Sequence, residues 1–181
     1  MLKDNPHGVD MGPHESQFPE RLVHADKMIR CAPAPVLEDL QRLLAHSDQQ
    51  EDHPFRLIGR RHVRSNNSWM HNYQRLVKGK GRCQLMMHPD DVSRLGLQSG
   101  QSVAVSSRVG RVVAELEATD EVMPGVVSLP HGWGHGRNGV QAQIAQAHAG
   151  VSVNDLTDDQ FLDELSGNAA LNGVPVAISA A

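Results

Sequence analysis

The sequence predicts a mainly β fold: a barrel of short strands with a few short inserted helices, preceded by an extended segment carrying one helix. Three observations predict it. From Phe55 onward, short alternating or β-branched runs are separated by turn-forming Gly, Pro and Asn residues. No internal repeat at a period of roughly 20–50 residues marks a solenoid. Upstream of Phe55, prolines at positions 6, 13, 19, 33, 35 and 54 interrupt any regular pattern.

The elements follow in order. Within residues 1–54, the apolar residues recur at helical spacing only after Pro35, where Val36, Leu37, Leu40, Leu43 and Leu44 predict a helix over 35–45. The stretch from His46 to Pro54 is a polar linker, so residues 1–54 read as a lead-in and 55–181 as the domain. Phe55–Gly59 and Gln84–Met87 read as strands. His88-Pro89-Asp90-Asp91 opens a short helix, with acids at its positive end, and Gly96 closes it. Gln101–Ser107 and Arg111–Thr119 are strands joined by Arg108-Val109-Gly110, a hairpin signal. Met123-Pro124-Gly125 turns into the strand Val126–Leu129. A glycine-rich loop then leads to a helix over Val140–His148, and a further short helix is expected around Asp158–Leu165. Leu171-Asn172-Gly173 turns into a closing strand, Val174–Ser179.

The chain has 181 residues and a formal net charge of −4, and only 3% are aromatic, so its core must rest on Val, Leu, Ile, Ala and Met. No run approaches the ~20 apolar residues a membrane-spanning helix needs, and the N-terminus lacks the apolar stretch of a secretory signal. Two cysteines, Cys31 and Cys83, are too few for a disulfide framework or a four-cysteine zinc site and read as buried or idle thiols. A reducing, cytoplasmic setting is expected. Charge is distributed unevenly. Between His53 and Pro89 there is no Asp or Glu, yet eight of the 17 Lys and Arg residues fall there. Such a block attracts anions, although a solvated face would have the same composition.

Three constellations could carry chemistry. Gly59-Arg60-Arg61-His62-Val63-Arg64-Ser65-Asn66-Asn67-Ser68-Trp69 follows a strand and is crowded with donors suited to phosphate oxygens, with Trp69 offering a stacking face. His131-Gly132-Trp133-Gly134 opens a loop whose glycines let backbone amides approach a phosphate. Its continuation, Gly134 to Gly139, formally matches G-x-G-x-x-G, but no second parallel strand with an acid follows, which disfavours an NAD enzyme. His131 and His135 have the i, i+4 spacing of helical zinc ligands, yet stand in a glycine loop without a third ligand. The third constellation is Asn154, in Val153-Asn154-Asp155-Leu156-Thr157, whose simplest role is to turn the chain. Signatures of a P-loop, a serine-nucleophile elbow, a zinc-protease helix and a C-x-x-C pair are all missing from the sequence.

Taken in order, LIGRRHVRSNNSWMHN, LMMHPDDVSRLGLQSGQSVAVSSRVGRV, VMPGVVSLPHGWGH and VSVNDLTDDQFLDELSGNAALNGVPVAI resemble the C-terminal domain of the molybdopterin-dependent oxidoreductases, the superfamily of formate dehydrogenases, periplasmic nitrate reductases and dimethyl sulfoxide reductase. The resemblance covers almost the whole chain, but only the last quarter or so of a typical family enzyme. It implies a six-stranded double-psi β-barrel that binds molybdopterin guanine dinucleotide. It also implies cofactor contacts from Gly59, Arg60, Arg61, His62, Asn66, Asn67, Ser68 and Trp69, from His131, Gly132, Trp133 and Gly134, and from Asn154. Family members hold molybdenum or tungsten with pterin dithiolenes and residues of earlier domains, so no metal ligand and no catalytic residue is assigned to this chain. Its expected partners are the remaining domains or subunit of the oxidoreductase, with no nucleic acid and no membrane span. The alternative is a free-standing nucleotide-binding or adaptor module on the same barrel.

Overall fold

The computed structural model describes residues 3–46 and 53–181, and the chain divides into two compact units between Ser47 and Asp48. Most of the expected linker, residues 47–52, lies outside the described residues. In the first unit, turns lead to helix α1, Ala34–His46, which begins as the amides of Val36 and Leu37 donate to the Pro33 carbonyl. Its apolar stripe, Val36, Leu37, Leu40, Leu43 and Leu44, is exposed.

The second unit is a closed six-stranded barrel. Its strands are β1 (Phe55–Arg60), β2 (Gln84–Met87), β3 (Ser102–Ser106), β4 (Arg111–Ala118), β5 (Val126–Pro130) and β6 (Val174–Ala180), hydrogen-bonded in the order β1-β5-β2-β4-β3-β6. β1 with β5 and β2 with β4 are parallel pairs, and every other neighbouring pair is antiparallel. This is the six-stranded double-psi barrel that the resemblance implies. β4 shows how its residues specify it: Val112, Ala114 and Leu116 point inward while Arg111, Val113 and Glu115 face out. With so few aromatics, the core is aliphatic around Phe55. Leu85, Met87, Val103, Val105, Leu116, Val127 and Val176 are wholly buried, each contributing roughly 1.5–3 kcal/mol.

The inserted helices are shorter than the sequence suggests. Helix α3, Pro89–Arg94, forms as expected, with the His88 ring accepting from the Asp90 amide. A four-residue helix, α2 (Gln74–Val77), is present where no helix is expected. The helix expected over Val140–His148 shrinks to α4, Gln143–Ala147, because its start is set by a distant cap: Asn72 Oδ1 accepts from the amides of Ile144 and Ala145. No helix forms over Asp158–Leu165. There Asp158 accepts from the Gln160 amide and pairs with Arg108, and Leu162 forms a β-bridge with Ala169. A single short turn of helix has too little of its own stability to outcompete such bonds.

Candidate functional site

The parallel register of β1 and β5 builds one end of the barrel. Arg60 lies opposite Pro130, and the His131 amide donates to the Arg60 carbonyl at 3.0 Å, so the two donor-rich loops leave the barrel side by side. Their approach requires glycine. Gly132 has φ +91°, and a Cβ there would run into the Asn67 carbonyl. Gly134, at φ +105°, lies against Ser152, and the amides of Gly134 and His135 both donate to the Ala149 carbonyl. Asn66 and Asn67, at φ 41° and 63°, turn the first loop through left-handed backbone, which Asn tolerates better than most residues.

Arg60 and its neighbour Arg61 have opposite surroundings. The Arg60 guanidinium points along the barrel end and donates to the carbonyls of Ser128 (2.5 Å) and Gln84 (2.6 Å), bracing β5 against β2. Its charge is near the rim, but these donors are occupied by protein. Arg61 is exposed and has no hydrogen-bond or ion-pair partner among the described residues. It lines three clefts. One, of about 140 Å³, is shared with Gly59, His131, Asn154, Thr157 and Asn172. A second, of about 570 Å³, opens onto His62, Asn66 and Asn67. The third, of about 240 Å³, opens onto His62, Lys80, Arg82 and Trp133. The predicted segments therefore converge around one guanidinium.

The electrostatics favour an anion. Partial burial, followed by Arg82, Arg64 and Arg60, holds the His62 imidazole below its ordinary 6.5. The ring is therefore neutral near pH 7, amid arginines. Lys80 is paired with Glu117 at 2.7 Å, and the guanidinium of Arg82 donates to the Leu76 carbonyl. Trp69 is 84% exposed, whereas Trp133 is buried and stacks on His71, with ring centroids 4.1 Å apart. Asn154 is exposed on a single 3-10 turn, Val153–Asp155, whose backbone lies against Gly110 of the β3–β4 hairpin. Ser68 is half-buried within the first loop.

Sequence reasoning missed several residues at this end. Asn172 accepts from the Gly59 amide at 2.8 Å and lines the smallest of the three clefts, though its Asn-Gly pair reads only as a turn. Arg82 belongs to the acid-free block, but nothing in its immediate sequence marks it. His71 and His135 meet across 64 positions, a pairing that no local pattern reveals. Of the cysteines, Cys31 is exposed rather than buried, and burial pushes the Cys83 thiol up, away from the reactive thiolate. No group of three or more His, Cys, Asp or Glu residues among the described residues is arranged to hold a metal ion. Nor is any described helix long and apolar enough to cross a membrane.

A closed barrel with a donor-rich rim and glycine-dependent loops is the class of domain suited to a phosphorylated ligand. Comparison with known proteins makes that class specific. Residues 55–175 match the family model described as the Molydopterin dinucleotide binding domain. The chain is 33% identical over 109 residues to a tetrathionate reductase subunit of Salmonella typhimurium, covering 51% of this chain and 11% of that protein. It is 30% identical over 139 residues to the molybdopterin-containing subunit of arsenate respiratory reductase from Chrysiogenes arsenatis, covering 71% and 16%. With biotin sulfoxide reductase of Cereibacter sphaeroides it shares 32% over 114 residues, covering 62% and 14%. Acetylene hydratase from Pelobacter acetylenicus has the same fold, with a TM-score of 0.60 at 22% identity over 80% of this chain and 20% of that one.

The chain belongs to the molybdopterin dinucleotide-binding domain family of the molybdopterin oxidoreductases. It matches 11–16% of the length of the three relatives named, less than the quarter that the resemblance suggests.

Proposed function

We propose that this chain forms one wall of the molybdopterin guanine dinucleotide site in a larger oxidoreductase and closes that site over the cofactor. The observation that carries this reading is the convergence of Gly59, His62, Asn66, Asn67, His131, Trp133 and Asn154 on clefts that share the Arg61 guanidinium, which has no partner among the described residues. The donor set fits a pyrophosphate: Arg61, with Arg64 and Arg82 around the neutral His62 ring, supplies positive charge, and the asparagine amides and His131 supply directed polar contacts. Arg60 acts from behind by fixing the strand end that presents Arg61. Gly132 and Gly134 allow the two loops to close without side chains in the way, and Trp133 anchors the second loop. Trp69 and Ser68 complete the outer face of the first loop.

When bound, the cofactor supplies redox chemistry through its dithiolene-held molybdenum or tungsten, and this chain contributes binding, orientation and exclusion of water. The remaining domains or subunit of the enzyme supply the metal ligand and the substrate funnel. A cytoplasmic setting is part of the same reading, supported by free thiols at both Cys31 and Cys83. The test is the Arg61→Ala, Asn67→Ala pair in the complete enzyme, with molybdenum or tungsten and guanine nucleotide counted per polypeptide after desalting. The pair is expected to lower cofactor retention; unchanged occupancy would reject the assignment.

A further inference from the structure

The two loops are joined by a bond that cofactor binding as described does not use. His71, in the segment that continues the first loop, is 1% exposed, and its Nδ1 lies 2.8 Å from Nε2 of His135 in the second loop. Its ring rests on Trp133 and meets His135 edge-on at 5.1 Å. The buried His71 Nε2 has no partner in hydrogen-bonding geometry among the described residues. The bond to His135 Nε2 is therefore the one side-chain hydrogen bond of this wholly buried ring among the described residues, with the Gly132 backbone as a further polar neighbour.

We propose that the His71–His135 hydrogen bond is a latch that holds the two cofactor loops together, making both histidines positioning residues whose release frees the cofactor. The inference rests on the cofactor reading above. The neighbouring residue strengthens the geometry: Asn72 Oδ1 caps α4 through the amides of Ile144 and Ala145, so adjacent residues grip the second loop at two points. Only one of these grips can titrate. The charged or titratable groups that act on His71 are His135 from the loop after β5 and Arg82 from the stretch before β2, with the Gly132 carbonyl opposing them. Burial first, then His135 and Arg82, pushes the His71 imidazole down to about 4, and burial also lowers His135. An opened, solvated His71 would take its proton at the ordinary 6.5. Opening therefore becomes easier as pH falls from 6.5 towards about 4, and gains nothing further below that.

The experiment follows release of guanine nucleotide and molybdenum or tungsten from the complete enzyme at successive pH values across that window. Wild-type release should accelerate by roughly ten- to a hundredfold from the top of the window to the bottom. His71→Phe should release about tenfold faster near neutrality and lose most of the pH dependence. His71→Asn, which keeps an amide atom near the Nδ1 position, should hold cofactor near neutrality yet give a much shallower profile, the remainder coming from His135. His135→Gln keeps a donor at the Nε2 position and should retain the latch near neutrality, with a slope shallower than wild type but steeper than that of His71→Asn. Asn72→Ala should speed release without changing the slope. A wild-type slope in His71→Asn overturns the latch, even if His71→Phe fails to fold. If Arg61→Ala weakens retention while a folded His71→Phe does not, the latch fails and the cofactor site stands. If neither weakens it, the cofactor reading itself fails.

Discussion

The two ends of the β1–β5 pair treat charge in opposite ways. Where the strands begin, the buried Asp91 carboxylate of α3 accepts from the Gly125 amide at 2.7 Å and from Arg94 at 2.5 Å, and Arg94 lies over the Phe55 ring. The strong donors and acceptors there find partners within the fold. Where the strands end, Arg61 has no partner among the described residues, His62 is crowded by three arginines, and the loops meet at glycines that tolerate no Cβ. One end uses polar groups to fix the barrel, and the other leaves them available to a ligand. The contrast separates two roles for charge that composition alone merges.

That contrast can be broken from either side. The largest effect on stability is expected from Asp91→Ala, which leaves the Gly125 amide unsatisfied and should cost about 3 kcal/mol in denaturant unfolding. Cofactor binding should suffer only insofar as the domain unfolds. The same carboxylate predicts an acid limit. Burial alone would raise its pKa, but the Gly125 amide, Arg94 and His88 together hold it below the ordinary 3.8. Its stabilisation is complete above that value and is lost as pH falls below it, so Asp91→Asn should flatten this part of a stability profile against pH.

Gly132→Ala comes next, at about 2 kcal/mol, because it forces a side chain into positive φ and against the Asn67 backbone. Here retention of cofactor should fall more than thermal stability does. Arg61→Ala sharpens the comparison most cleanly: about tenfold weaker retention from one lost charge-assisted contact, with stability changed by less than about 0.5 kcal/mol. The smallest stability effect belongs to Trp69→Ala, also below about 0.5 kcal/mol by thermal melting, since its ring is 84% exposed.

The strands were the most legible part of the sequence. Alternation in RVVAELEA and β-branched runs such as SVAVS reflect inward and outward faces directly, and turn residues bound them. The short helices were less so, for a physical reason. α4 starts where Asn72 caps it from across the fold, and 158–165 is held by the Arg108–Asp158 pair and a β-bridge instead of helical bonds. At the candidate site, the basic block and the glycine loop were visible as chemistry. The division of labour between Arg60 and Arg61 was not, because it depends on which carbonyls lie across the barrel end. The His71–His135 pair was equally hidden, since parallel pairing brings its two loops together from distant parts of the chain.

The central claim is that this domain closes over a molybdopterin dinucleotide within a larger enzyme. The most direct test isolates the native polypeptide carrying this sequence by antibody, measures its mass, and counts molybdenum, tungsten and guanine nucleotide in the same sample. The account predicts a polypeptide several times heavier than 19.8 kDa, or a complex of that size, carrying metal and nucleotide together. A free 19.8 kDa chain with neither would contradict it.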